Sequence, residues 1–212
     1  MSDPTGEREK QERVLAERRR LLGEEHPETL TAMLDLADRL WAEGRLIAAR
    51  KLEEQVVSGR RRGLGEHHFD TLKAIGKLAV TMAAQGDLAE ARALQERVVS
   101  GMRAQFGDAG IETLRAINNL AGTVSAQGGL EEARELLESV VATTCREFGE
   151  RHADSLTAMS NLAAILWQEG DREEGFALQQ HVVELHRRER GDDEATRAAA
   201  QVLETMERDA GF

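Results

Sequence analysis

The chain has 212 residues, of which 41% are hydrophobic and only 3% aromatic, and its formal net charge is −11. The acidic balance argues against a general nucleic-acid-binding protein, which needs a dominant basic surface. One cysteine, Cys145, leaves no intramolecular disulfide and no cysteine-based metal cluster. Residues 1–11 are charged and lack the apolar core of a signal peptide, and no stretch reaches about 18 uninterrupted apolar residues. We therefore expect a cytoplasmic protein with no membrane span.

A period of 42 residues organises the predicted elements. Leucine, alanine and a Val-Val pair recur with this spacing, in register with two series of glycines. The glycines are Gly23, Gly65, Gly107, Gly149 and Gly191 in one series and Gly44, Gly86, Gly128 and Gly170 in the other. So many coincident series indicate a repeat protein, in which each repeat is one unit of supersecondary structure.

The first element in chain order is half of a unit. Residues 1–21 contain Val14 and Leu15, which lie 42 positions before the Val56-Val57 pair of the following unit. The rest of this segment is highly charged, as expected of a helix that caps a repeat array toward solvent. Residues 1–21 therefore predict an N-terminal capping helix.

Four full units of two helices each follow, at residues 22–63, 64–105, 106–147 and 148–190. In the first unit, one helical face is apolar at Leu30, Met33, Leu36, Ala37 and Leu40. Pro27 suits the start of this helix and Gly44 its end. A second helix follows with apolar residues at Ala49, Leu52, Val56 and Val57. We expect the residues before the inter-unit glycines to pack in the joints between units; they are Leu22, Leu64, Phe106 and Phe148.

The last element is a C-terminal capping helix at residues 191–212. Its apolar residues Ala199, Val202 and Met206 are shifted by one position from the register of the repeat. Gln201 and Glu204 stand where core residues would be, which gives the polar outer face that a terminal half unit needs. The chain is thus predicted to hold half a unit, four full units and half a unit.

Three segments carry a family resemblance: LGEEHPETL, NLAGTVSAQGGLEEARELLESVV and FGERHADSLTAMSNLAAILWQEG. They resemble the tetratricopeptide repeat (TPR), in the longer variety found in kinesin light chains, and the resemblance extends over residues 12–190. It implies an all-α fold, a right-handed α-solenoid of stacked antiparallel helix pairs, whose first helices line a concave face that binds peptides. Glu53, Gln95 and Gln179 depart from the family, where an aromatic residue is common, and this implies looser packing.

The residues between the core positions of the first helices predict the binding face. We interpret them as a groove with a cationic, amide-rich floor and a tryptophan at each end. The predicted ligand-binding residues are Lys73, Lys77, Arg115, Asn118, Asn119, Asn161, Trp41 and Trp167. Two lysines four apart on a helix repel each other, which packing alone does not require. Asparagine amides pair with both donors and acceptors of an extended peptide. The alternative is that these are solvated residues and that the tryptophans fill gaps.

Two other series of polar residues have simpler interpretations. Arg18, Arg60, Arg61 and Arg62 could form a basic edge for a phosphate-bearing partner, although complementing the helix dipole explains them more simply. His26, His68 and His152 should be ~10 Å apart in a stacked array, too far for one zinc ion. Because catalytic and phosphate-binding motifs are also absent from the sequence, we predict no catalytic residue, metal site or cofactor.

The favoured function is therefore an adaptor or scaffold that binds a protein or peptide segment. The basic residues of the predicted groove favour a segment with acidic residues or a free carboxylate. The alternative from another class is a regulator whose groove holds a small molecule or a signalling peptide and changes the pitch of the solenoid. An enzyme is the third and least favoured class.

Overall fold

The computed structural model describes residues 4–191 and 193–210, and this part of the chain consists of α-helices joined by short turns, without a β-strand. Residues 1–3, 192 and 211–212 of the predicted capping segments lie outside the described residues. The helices are α1 (Pro4–Leu22), α2 (Pro27–Ala42), α3 (Leu46–Leu64), α4 (Phe69–Ala84), α5 (Leu88–Phe106), α6 (Ile111–Ala126), α7 (Leu130–Phe148), α8 (Ala153–Glu169), α9 (Arg172–Arg190) and α10 (Glu194–Ala210).

The helices form two compact units, Met1–Met102 and Arg103–Phe212. In the first unit, α1 packs against α2, α2 against α3 and α3 against α4. In the second unit, consecutive helices from α6 to α10 pack against each other, and α6 also contacts α8. First helices such as α2 and α8 are therefore covered on one side by their own second helix and on the other by the second helix of the preceding repeat.

The core consists of the periodic apolar residues, as the sequence predicts. Leu30, Met33, Leu36, Ala37 and Leu40 are all buried, and so are their counterparts along the chain except Ile117, which is partly buried. One position of every first helix holds a fully buried alanine, at Ala37, Ala79, Ala121 and Ala163. A side chain as small as alanine lets neighbouring helices approach closely, so this position limits the size of the residue that the core accepts.

The glycines of the series that includes Gly44 follow the first helices, as predicted, and those of the series that includes Gly23 follow the second helices. All nine of these glycines have a positive φ, between 67° and 102°, and no other described residue type does. This left-handed region is unfavourable for residues with a Cβ, which explains why glycine stands at each position. Gly44, for example, directly follows the last turn of α2 and donates its N–H to the carbonyl of Trp41 at 2.9 Å.

The apolar residues predicted to pack in the joints between repeats are only partly buried, and ion pairs lie around three of the four joints. Leu22, Leu64, Phe106 and Phe148 are each 39% to 46% exposed. Around the same turns, an arginine in the last turn of the second helix contacts a carboxylate five residues later. The pairs are Arg19 with Glu24 at 3.0 Å, Arg61 with Glu66 at 2.6 Å and Arg103 with Asp108 at 2.5 Å.

Arginines at equivalent positions join α3 and α7 to the end of the next first helix. Arg50 Nη1 on α3 donates to Asp87 at 2.5 Å and to Gln85 at 2.9 Å, beyond the end of α4. Arg134 on α7 reaches Glu169 at 3.2 Å and Asp171 at 2.7 Å in the same way. Hydrogen bonds to carboxylates raise the pKa of both guanidinium groups, with Asp87 the largest cause for Arg50 and Glu138 the largest for Arg134. Both arginines belong to the 42-residue series Arg8, Arg50, Arg92 and Arg134.

The buried alanines make a test of the core. Ala79→Leu inserts three carbon atoms at a position with no exposed surface, so we expect it to lower the free energy of unfolding by ~1–3 kcal/mol. Urea denaturation followed by circular dichroism measures this. Ala93→Leu is the control, because Ala93 lies on the exposed side of α5. Equal stability of the two variants would contradict the assignment of the core face.

Candidate ligand-binding surface

In the compact unit Met1–Met102, the predicted groove residues lie on α2 and α4. The ammonium group of Lys77 forms an ion pair with Asp38 of α2, the preceding first helix. Lys73, one turn earlier on α4, is exposed, and its Nζ lies 5.6 Å from the centroid of the Phe69 ring. Trp41 is exposed near the end of α2. The unit thus brings Lys77 to a carboxylate and leaves Lys73 accessible.

In the second unit, the predicted residues of α6 reach across to α8. Arg115 binds Asp154 through two hydrogen bonds, Nε to Oδ1 at 2.6 Å and Nη2 to Oδ2 at 2.9 Å. Asn161 donates its Nδ2 to Oδ1 of Asn118 at 3.0 Å. Asn119 is exposed on α6. The structure therefore joins Arg115, Asn118 and Asn161 to partners on the adjacent first helix of the same unit.

The second predicted tryptophan, Trp167, lies near the end of α8 and is partly buried. The guanidinium carbon of Arg172, in the first turn of α9, lies 5.3 Å from the centroid of its ring. This is within the distance at which a cation is attracted to the face of an indole ring. Trp167 therefore has an intramolecular contact, whereas Trp41 at the corresponding position of the first repeat is more exposed.

These pairings make the surface mixed in charge rather than cationic. Asp38 and Asp154 neutralise Lys77 and Arg115, and the hydrogen bonds to Asp154 raise the pKa of Arg115. Both pairs join residues 39 positions apart, three fewer than the repeat length. A search of the sequence for opposite charges at this spacing would have found them.

A carboxyl group is buried behind the Lys77–Asp38 pair. Glu53 of α3 is only 2% exposed, and its Oε1 accepts a hydrogen bond from the hydroxyl of Thr81 at 3.0 Å. Its Oε2 is buried and has no hydrogen-bond partner among the described residues. Burial raises the pKa of Glu53, while the Thr81 hydrogen bond and the charge of Lys77 act in the opposite direction.

The position of Glu53 is polar in three of the four repeats. Its counterparts are Gln95, Leu137 and Gln179, all of which are buried. Gln179 accepts a hydrogen bond from Ser160 at 2.9 Å and donates one to the Ala199 carbonyl at 2.8 Å. Where the family commonly has an aromatic residue, two of these side chains thus make buried hydrogen bonds with neighbouring helices.

The histidine series caps helices. In His26, His68 and His152, Nδ1 accepts a hydrogen bond from the backbone N–H two residues later, at 3.1 to 3.3 Å. Each histidine thereby satisfies a free donor at the start of a first helix. Among the described residues, no group of three His, Cys, Asp or Glu side chains is arranged to hold a metal ion. This capping role was not predicted from the sequence, although each histidine directly precedes a helix.

The arginines of the predicted basic edge all have intramolecular partners. Arg18 donates to the Glu28 carbonyl at 2.9 Å, and Arg60 donates to the Asp70 carbonyl at 2.8 Å. Arg61 and Arg62 form ion pairs with Glu66 and Glu25, respectively. This arrangement favours a structural role for the edge over a phosphate-binding role.

The repeats also match known sequences. Tetratricopeptide repeat profiles match residues 64–145 and, with a second profile, residues 5–28, 29–70 and 155–193. Crystal structures of nearly identical TPR-like repeats, from a Podosopora anserina protein described as a kinesin light chain, are 30% and 29% identical to the chain. The chain belongs to the tetratricopeptide repeat family. Its repeats are of the variety found in kinesin light chains, which confirms the resemblance.

The same comparisons confirm the all-α solenoid fold. The first Podosopora anserina structure has a TM-score of 0.70 and covers 87% of each chain; the second has 0.68, with 88% of this chain and 89% of that chain covered. BtubC (BKLC) from P. vanneervenii has a TM-score of 0.74 over 100% of this chain and 85% of its own, at 18% identity. No curated protein sequence matches significantly. None of the helices described here is long and apolar enough to cross a membrane.

Glu53 makes stability depend on pH. Because its pKa is raised in the folded state, the folded protein binds this proton more tightly than the unfolded chain does. The stabilisation that comes from protonated Glu53 is greatest below the ordinary pKa of a carboxyl group. It is lost as the pH rises from that ordinary pKa to the raised pKa of Glu53 in the folded protein. Glu53→Gln should therefore be more stable than the parent at neutral pH, by a margin that shrinks as the pH falls.

Urea denaturation at a series of pH values measures this difference. Glu90→Gln is the control, because Glu90 is exposed in the same unit and its substitution should leave the pH profile unchanged. A Glu53→Gln variant with the pH profile of the parent would show that the buried carboxyl does not titrate differently in the folded state.

Proposed function

We propose that this TPR protein is an adaptor or scaffold that binds a peptide segment of another protein along its first helices. Membership of the TPR family supports a role in protein interaction. The observation that carries the finer proposal is the row of amide side chains on α6 and α8. Asn161 donates its Nδ2 to Asn118 Oδ1, which leaves Asn161 Oδ1 and Asn118 Nδ2 without a hydrogen-bond partner among the described residues. Together these two atoms offer one acceptor and one donor. An extended peptide backbone presents the complementary pair.

The charges of the same surface support an acidic ligand, or one with a free carboxylate. Lys73 is exposed and has no carboxylate partner in the described part of the chain. Lys77 and Arg115 are already paired, so a ligand carboxylate would take the place of Asp38 or Asp154. Exchange of one carboxylate for another costs less desolvation than burial of a new charge. We place this interaction in the cytoplasm, in keeping with the free thiol of Cys145.

The partner is identified first, by affinity purification from the native host followed by mass spectrometry. With the bound segment in hand, Lys77→Ala should weaken binding at least about tenfold, because loss of one member of a charged, desolvated contact costs ~2–5 kcal/mol. Asn119→Ala should also weaken binding at least about tenfold, because it removes an amide that holds the peptide backbone. Isothermal titration calorimetry measures the change. The control, Arg61→Ala on the basic edge, should change the affinity little. Loss of binding in this control alone would move the site to the arginine edge.

The carboxylate exchange predicts a variant that binds more tightly. Asp38→Asn removes the internal competitor for Lys77, so the affinity for the acidic segment should rise about threefold or more. Asp108→Asn is the control, since Asp108 is also exposed and paired with an arginine but lies outside the first helices. Unchanged or weakened binding to Asp38→Asn would contradict the exchange.

A further inference from the structure

One face of α1 is uncovered although the corresponding face of later second helices is buried. In α3, α5 and α7, three positions pack against first helices and are less than 5% exposed; Glu53, for example, bonds to Thr81 of the next first helix. They are Ala49, Glu53 and Val56; Ala91, Gln95 and Val98; and Ala133, Leu137 and Val140. The counterparts in α1 are Glu7, which is exposed, Gln11, which is partly buried, and Val14, which is 38% exposed. None of the described helices covers Glu7 or Val14.

This face of α1 borders a groove. The groove has a volume of about 510 Å³ and lies between α1 and α2, where Asp35 and Asp38 form part of its wall. Oε1 of Gln11 is buried there without a hydrogen-bond partner among the described residues. Position 14 is a valine, like the corresponding positions Val56, Val98, Val140 and Val182, so this end of the chain retains part of the core pattern.

The other repeats show how the α2 wall of the groove would be used. Lys77 and Asn161 occupy the position of Asp35 in later repeats, and each contacts the preceding first helix, at Asp38 and Asn118, respectively. Asp35 occupies this position where the described chain has no preceding first helix. It accordingly has no hydrogen bond or ion pair with any described residue.

We propose that the groove between α1 and α2 is a docking site for an amphipathic helix of a partner protein, which carries a basic residue opposite Asp35. The helix completes the repeat of which α1 is the second half, and the groove adjoins the peptide site proposed above, with which it shares Asp38. The charged side chains that line the groove are Glu7, Asp35 and Asp38 together with Lys10 and Arg39. Lys10 pairs with Glu7 at 3.6 Å and Asp38 pairs with Lys77, so Asp35 is the lining carboxylate without a partner among the described residues. Charge complementarity therefore favours a basic residue opposite Asp35. An apolar residue of the helix covers Val14, and a donor reaches Gln11.

A peptide based on the chain's own first helices tests this proposal. The probe is a synthetic peptide with the sequence of α4, Phe69–Ala84, in which Val80 is replaced by lysine. Val80 corresponds to Asp38, which pairs with Lys77 on the next first helix. Because Lys77 corresponds to Asp35, a lysine at position 80 of the peptide should lie opposite Asp35. Fluorescence anisotropy with the labelled peptide should show saturable binding to the full chain, at least about fivefold tighter than binding of the unsubstituted α4 peptide.

Variants of the protein then locate the bound peptide. Val14→Glu should abolish binding, and Asp35→Lys should weaken it at least about tenfold; both positions are exposed, and unchanged melting curves will show that the fold is retained. A second peptide, with Val80 replaced by glutamate, should bind Asp35→Lys better than it binds the parent. Glu90→Lys, an exposed change on α5, is the control and should leave binding unchanged.

Three outcomes would overturn the proposal. The first is the absence of saturable binding by the lysine-containing peptide. The second is binding that neither Val14→Glu nor Asp35→Lys reduces, which would place the peptide elsewhere on the chain. The third is self-association of the parent, measured by light scattering and lost in Val14→Glu, which would make a second copy of the chain the occupant of the groove.

Discussion

The close packing of first helices against second helices is the constraint on which the rest of the structure depends. A pair of helices cannot bury its apolar face alone, so each repeat must pack against the next. The fully buried alanine of each first helix permits this packing, and Ala37, Ala79, Ala121 and Ala163 have no exposed surface. At such a distance, polar side chains beside the core also meet across helices. The contacts of Lys77 with Asp38 and of Arg115 with Asp154 are direct results.

Those cross-helix contacts give the first helices two tasks at once. The same side chains that join adjacent repeats also face outward, where a ligand would meet them. A ligand that binds Arg115 must compete with Asp154, and one that binds the amides can use the free groups of Asn118 and Asn161 without breaking their hydrogen bond. Under the proposed function, this surface would recognise a peptide backbone at little cost to packing, whereas recognition of a carboxylate would rearrange an ion pair. Affinity for an acidic ligand would then be coupled to the stability of the repeat stack.

Much of the fold could be predicted because it repeats along the sequence. The helices, their glycine ends and the apolar core all follow from residues 42 positions apart, and local chemistry explains each. The pairs that define the candidate site were missed because they depend on the offset between adjacent helices, which changes the spacing to 39. Lys77 and Arg115 were correctly placed on the first helices, but their partners Asp38 and Asp154 could not be assigned from periodicity alone. The partial exposure of Phe106 was missed for a related reason, since hydrophobicity does not reveal the Arg103–Asp108 ion pair at its joint.

The buried polar position of the second helices also bears on how a chain of similar repeats finds its correct pairing. Glu53 bonds to Thr81, 28 positions later, whereas the residues at the same two positions further along are Leu137 and Ile165, both buried and both apolar. The two positions have changed together. A misregistered chain in which α3 packed against α8 would bury the Glu53 carboxyl against isoleucine, without a donor. The buried Glu53–Thr81 and Leu137–Ile165 pairs thus disfavour packing of α3 against α8, whereas α6 keeps a threonine, Thr123, at the position of Thr81.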